Sequence, residues 1–305
     1  MITLARDGMR TDLERIWRTC FGDPPEYVSY FFDNRYNPNS CIVYVDESVG
    51  RPVAMVHLLE CSVTEDSEIV SAQYVYAAAT RPDHQGRGIM SLLLEYARRY
   101  AASRGSKYLI LVPGSRELFR YYEKRGYYRC YKNRSVFMSR RDLETLSGYK
   151  KAADRRTAAK KLPALMLTDI HAVRRDMLID REGFVTWDYK AMKYAAGIHE
   201  RSGGFITTCS EGSEAGYAFC FQEGDTLKIN EFISSTGFEA PLIHSVLNAS
   251  TSDKFELRLP VYNEMFADFG EITDFGMICE VSGRKPISLL TLSGVHIPYL
   301  GMTLD

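Results

Sequence analysis

Apolar positions along the chain fall into two rounds of a similar rhythm. Ile2 to Arg6 reads as a short strand, and Leu13, Ile16, Trp17 and Cys20 recur at helical spacing behind Thr11, a candidate cap. Phe21-Gly22-Asp23-Pro24-Pro25 breaks that helix, and a second one, about Glu26 to Asn34, carries Tyr27, Tyr30, Phe31 and Phe32. Cys41 to Asp46 and Pro52 to Cys61 are apolar runs on either side of a polar turn, which predicts a hairpin. Tyr74 to Thr80 is β-branched, aromatic and small, and Arg81-Pro82 ends it; with the hairpin it completes an antiparallel meander.

The stretch from Tyr74 to Met90, YVYAAATRPDHQGRGIM, then changes period. Asp83 to Gly88 is polar with two glycines, and Ile89, Met90, Leu92, Leu93, Leu94 and Tyr96 form a helical apolar face. Strand, glycine turn and helix in this order can hold a pyrophosphate, because a helix N-terminus presents unpaired N–H groups and the positive end of its dipole. Gly86 and Gly88 let the backbone approach a ligand, and Arg87 can add charge. Lys107 to Val112 reads as a buried parallel strand, which closes a βαβ unit. A helix from Ser115 to Arg125 and strands at Tyr127–Tyr131 and Ser135–Met138 follow.

Residues 141 to 163 are charged and poor in large apolar side chains. Their basic cluster (Lys150, Lys151, Arg155, Arg156, Lys160 and Lys161) lacks interleaved aromatics, so a solvated linker is expected rather than a nucleic-acid patch. The division expected is therefore a first domain at 1–145, a linker at 146–163 and a second domain at 164–305. Beyond the linker, helices are expected at 170–181 and from Trp187-Asp188-Tyr189 onward. Strands follow at Gly204–Ser210, Gly216–Gln222 and Leu227–Ser234, then a helix at Glu239–Leu247 and a strand at Phe255–Leu259. The order repeats that of the first half, but the turn Ser234-Ser235-Thr236-Gly237-Phe238-Glu239 has one glycine, no arginine and an acid. This half is not expected to bind a phosphate there. The apolar tail from Ile287 is expected to dock.

Composition narrows the function classes. A net charge of −1 gives no global attraction to nucleic acid or anionic membrane, and no apolar run is long enough to span a bilayer. Seven cysteines, none in CxxC spacing, predict reduced thiols and a cytoplasmic setting. Six histidines without ligand spacing predict no metal site, and nucleotide-binding and serine-hydrolase motifs are absent.

Two segments carry a family resemblance. Gln85-Gly86-Arg87-Gly88-Ile89-Met90 resembles the Q/R-x-x-G-x-G/A acyl-CoA signature of the GNAT superfamily of N-acetyltransferases, with Met90 where a small residue is usual. Tyr121-Tyr122-Glu123-Lys124-Arg125-Gly126-Tyr127 resembles the family's F/Y-Y-E-K-x-G-F motif, in the right order and distance. The resemblance covers Met1 to about Arg140. It implies an α/β (α+β) GNAT fold, a mixed, mostly antiparallel sheet flanked by helices, present twice with the second copy degenerate. It further implies acetyl-CoA as co-substrate and a small-molecule or peptide amine as acceptor. Ala78, Ala79 and Thr80 would offer backbone donors to the thioester, Gln85 to Met90 would hold the phosphate arm, and Tyr122 would act as general acid. Some members place a glutamate base where this chain has Tyr74. Glu60 and the terminal carboxylates of Asp305 are the candidates for that role, and the assignment stays open. The aromatic second helix is either packing or a wall of the acceptor site. Two other readings remain: a non-catalytic acyl-CoA sensor, and aminoacyl transfer by tandem domains of this kind. A homo-oligomer is compatible with each.

Overall fold

The computed structural model describes residues 1–149 and 165–303. The basic cluster at 150–161 and Asp305 lie outside the described residues. The chain forms two compact units. The first comprises Met1–Cys130 with Phe275–Thr291; the second comprises Tyr131–Asp274 and the tail from Leu292.

In unit 1, β1 (Ile2–Leu4) pairs antiparallel with β2 (Cys41–Asp46), and α1 (Arg10–Phe21) and α2 (Pro25–Asn34) lie between them in sequence. Thr11 falls inside α1 rather than at its cap, while Gly22, at φ 76°, ends it by donating to the Arg18 carbonyl. That left-handed turn is open to glycine at little cost. β3 (Arg51–Glu65) and β4 (Glu68–Thr80) form a long hairpin paired from Glu65↔Glu68 to Ala54↔Thr80. Its outer half alternates polar side chains at both strands, so the strand begins six residues earlier than the apolar run at Tyr74 suggested. α3 (Ile89–Ser103), β5 (Tyr108–Leu111) and α4 (Arg116–Glu123) follow. β5 is parallel to β4. The buried face of α3, with Leu93, Leu94, Ala97 and Ala101, packs into one core with Val53, Val56, Leu109 and Leu111.

β6 is one strand, Tyr128–Ser139, where two were expected. α5 (Arg140–Ser147) follows it directly, with a Ser139–Asp142 capping box and Gly148 in the left-handed conformation. The stretch read as linker therefore begins as a capped helix, since the Ser139/Asp142 spacing outweighs the scarcity of large apolar residues.

Unit 2 contains α6 (Leu167–Leu178), the short β7 (Val185–Thr186) and α7 (Tyr189–Arg201), capped by Asp188 through the Ala191 amide. β8 (Phe205–Glu211), β9 (Glu214–Glu223) and β10 (Thr226–Ser234) are an antiparallel meander. After α8 (Glu239–Ala249), β11 (Lys254–Leu259) lies parallel to β10 and antiparallel to residues 134–139 of β6. The strand pairing within each unit is thus mixed and largely antiparallel. A buried ion pair, Arg174 Nε to Glu231 Oε1 at 3.1 Å, fastens the tail: Arg174 also donates to the Leu300 carbonyl, and Glu231 accepts from the Met302 amide.

The units are not cut at the linker as a contiguous division would have it. β12 (Glu271–Glu280) carries Met277 to Glu280 onto the edge of β5, antiparallel, inside unit 1. The short α9 (Ile287–Leu290) follows in the same unit, where Ser288 donates to the buried Glu65. Glu65 also accepts from Lys107 at 2.5 Å and Tyr108 at 2.7 Å. A fragment of residues 1–145 leaves the β5 edge and Glu65 short of these partners. It is expected to lack a cooperative thermal transition and to bind a hydrophobic dye, where the full chain shows a sharp transition in near-ultraviolet circular dichroism.

Candidate active site

Strand β4 shapes the site. It pairs with β5 only from Ala72↔Tyr108 to Tyr74↔Ile110, and β5 ends at Leu111, so the edge of β4 from Val75 to Thr80 is left open. On the other edge the β3 register shifts between Met55 and His57, opposite Ala77, whose φ of 46° marks a bulge. The Arg81 amide donates to Val53 on β3. Strand alternation then turns the amides of Thr80 and Ala78 toward the open edge. The Gln85 side chain agrees with this, donating to the Thr80 carbonyl at 2.9 Å.

The turn after β4 holds its shape through its own contacts. Gly86 and Gly88 both sit at φ 75°, with open space where a side chain would be. The first helical bond of α3 runs from Leu92 to the Gly88 carbonyl, so the preceding amides are unused within the helix. Arg87 folds back to the Asp83 carbonyl at 3.0 Å. His84 is buried, its Nε2 lying 3.1 Å from Asp46 and its Nδ1 2.9 Å from Asp83. Asp46 is held down to about 2, first by the hydroxyl and amide of Ser48 and then by His84.

Helix α4 brings the second motif to the same place. Tyr122 is 8% exposed and meets Tyr121 and Tyr127 edge-on at 5.3 and 5.6 Å. Burial pushes its phenol up to about 12, with Tyr121 adding to the rise and Arg125 opposing it. Arg125 ties the two motifs together. Its Nη1 donates to the Tyr121 carbonyl at 2.6 Å, its Nη2 to Ser91 on the first turn of α3 at 2.6 Å, and its guanidinium lies 3.4 Å from the Tyr121 ring.

These parts enclose a cleft of about 530 Å³, whose lining includes Ala78, Thr80, Gln85, Gly86, Gly88, Ile89, Met90, Tyr122 and Arg125. Thr80 Oγ1 is buried without a partner. An acyl-CoA arm fits this lining: open strand amides, a glycine turn and a helix N-terminus all serve a long acceptor-rich chain. The other sequence candidates lie elsewhere. Ala79 is buried and does not line the cleft, and Arg87 is drawn into the turn. Glu60, on β3 opposite Gln73 of β4, is exposed and outside the cleft lining. Asp305 lies outside the described residues. Arg125 and Ser91 were missed; the variable position of the second motif was the only signal for Arg125.

The aromatic α2 buries Phe31 and Phe32, while Tyr27 and Tyr30 on the same helix are half-buried. With Trp17 and Tyr36, the two buried rings surround His57, the Phe31 ring lying 5.0 Å away. Among the described residues no cluster of three or more His, Cys, Asp or Glu side chains could hold a metal ion, and no helix is long and apolar enough to cross a membrane.

A split strand pair beside a glycine turn and a helix N-terminus gives unit 1 the architecture of the GNAT fold. Residues 2–130 match the family model described as Acetyltransferase (GNAT) domain. The fold is shared with the GCN5-related N-acetyltransferases of Anabaena variabilis and Kribbella flavida. Each is 14% identical with a TM-score of 0.68, over 92% of this chain and 72% of theirs. Eis1 from Mycobacterium abscessus is 12% identical with a TM-score of 0.68, over 92% of this chain and 74% of its own. At such identities the likeness is one of fold. No curated protein matches the chain.

The buried His57 makes an acid-sensitivity prediction. Burial lowers its imidazole to about 3, while the unfolded chain takes up that proton near the ordinary value of 6.5. Below that value the unfolded state binds more protons, so stability falls as pH drops. His199 in unit 2 is lowered too, also by burial. The urea midpoint of the wild type should fall between about pH 7 and about pH 4.5, and His57→Leu should flatten part of that fall. An unchanged slope in a folded variant would assign the loss to other groups.

Proposed function

We propose that the protein moves an acetyl group from acetyl-CoA to a primary amine, by direct attack within a ternary complex. One observation carries the reading: the cleft places Tyr122 together with the open edge of β4 and the glycine turn before α3. The free amides at the start of α3 would take the pyrophosphate, with Gly86 and Gly88 allowing close approach. Ala78 and Thr80 N–H groups on the open edge would hold the pantetheine arm and polarise the thioester carbonyl, so that negative charge on that oxygen meets a donor already in place. The amine attacks the carbonyl carbon, the C–S bond breaks, and Tyr122 donates its phenolic proton toward the leaving sulfur. The general base is left unassigned.

On this reading unit 1 is the catalytic domain and unit 2 a degenerate copy of the same fold, in tandem. The seven free thiols support a reducing, cytoplasmic setting. The second reading, a non-catalytic acyl-CoA sensor, draws on Met90, which lines the cleft where the family has a small residue.

Calorimetric titration with acetyl-CoA and CoA, followed by thiol release over an amine panel, tests the proposal. Gly86→Glu should abolish binding, because it puts a carboxylate at the phosphate turn and forces a side chain onto a φ of 75°. Tyr122→Phe should leave the dissociation constant within about twofold and lower kcat by roughly 10²-fold. With the phenol near 12, no alkaline loss of rate below about pH 10 should trace to Tyr122. Binding without turnover of any amine would select the sensor.

A further inference from the structure

Unit 2 repeats around α8 the order that unit 1 has around α3. β10 leaves an antiparallel meander, the turn 235–238 follows, and α8 leads into a strand parallel to β10. At the corresponding place unit 2 has its own small cleft, about 70 Å³, between the end of β10, the start of α8 and residues 260–264. Its polarity is opposite to that of the glycine turn. Glu239, the first residue of α8, lines it at 8% exposure and makes no ion pair among the described residues. The exposed Glu264 lines its rim. Arg181 lies flat on the Tyr262 ring at 3.5 Å and forms one wall.

Two further oxygens lack partners. Asn263 is 7% exposed, and its Oδ1 accepts no hydrogen bond; Ser234 Oγ is likewise without a partner. A buried carboxylate that Arg181, held on the Tyr262 ring, does not ion-pair and a buried amide oxygen without a donor each cost stability unless something supplies both. The α8 dipole offsets part of the carboxylate's cost. The amide oxygen still needs a donor.

We propose that this cleft binds a small primary ammonium ion. An ammonium carries three donors and no acceptor, which matches Glu239, Asn263 Oδ1 and Ser234 Oγ. An anion would meet Glu239 directly, and a neutral hydroxyl would leave its charge uncompensated. The volume, about two waters' worth, limits the group to an ammonium head with a short stem. The place proposed to hold phosphate in unit 1 is thus matched in unit 2 by one of opposite polarity.

The test titrates the full chain with ethylammonium chloride, using ethanol and acetate as neutral and anionic controls at constant ionic strength, followed by ligand-observed NMR. Ethylammonium is expected to bind with a dissociation constant of about 1 mM, and ethanol at least about tenfold more weakly. Glu239→Gln should weaken the ammonium about tenfold, and Asn263→Asp, which adds a second buried negative charge, should tighten it. An amine held at the unit 1 cleft would ignore both substitutions. Ethanol or acetate binding as well as the cation would overturn the proposal, as would an Asn263→Asp affinity equal to wild type. The Asn263→Asp arm decides the matter even if Glu239→Gln unfolds.

Discussion

The candidate site depends on an interruption of hydrogen bonding between two parallel strands. β4 and β5 are paired for three residues and then part, and the six residues from Val75 to Thr80 keep only their β3 partner. Backbone amides left open in this way are costly when dry, so the fold must provide for them. It does so unevenly. The Thr80 carbonyl is satisfied by Gln85, while Thr80 Oγ1 is buried without a partner and the outward amides border the cleft. The bulge at Ala77 re-aims the strand just where pairing stops. Beside the gap, α3 and α4 are fixed to one another by Arg125 on Ser91 and on the Tyr121 carbonyl.

That constraint explains how much of the site was readable. The glycine turn and the tyrosine motif are local chemistry: Gly86 and Gly88 are required by positive φ, and Tyr122 faces its cleft by helical phase. Both were therefore legible. Arg125 was not, since nothing local distinguishes a guanidinium that bridges two helices from one in solvent. Ala79 and Arg87 followed the family pattern in sequence but not in space, because strand alternation buries the first and the Asp83 carbonyl captures the second. The base was illegible for a different reason. A carboxylate such as Glu60 is read by where its strand points it, and neighbouring residues do not encode that.

The fold was readable at its periodic segments and less so where the chain returns. Three strands, a helix and a parallel strand were legible in both halves, because period and turn chemistry agree there. β12 was not, although Met277, Ile278 and Cys279 are buried. Its apolar run is short, and its partner β5 lies far back in the chain. Pairing of that kind is specified by the unfilled edge of a distant strand, which no local pattern announces. The outer half of the β3–β4 hairpin failed to register for a related reason: Cys61, Val63 and Ala72 are buried, but the charged and hydroxyl side chains between them break the apolar run.

The phenol of Tyr122 sharpens what the site can do. Near 12, it is a weaker acid than an ordinary thiol near 8.5 by roughly 10³-fold, so complete proton transfer to a free thiolate would run uphill. Yet the same burial that raises the phenol also penalises a thiolate formed beside it, and raises the thiol's proton affinity in turn. What governs transfer is the difference between the two groups in one dry cleft, and burial acts on both. A phenol kept protonated by its surroundings is then a donor ready at every working pH. In the proposed mechanism it would share its proton with the sulfur as charge develops, and it would gain strength as a hydrogen-bond donor from the water the bound arm displaces.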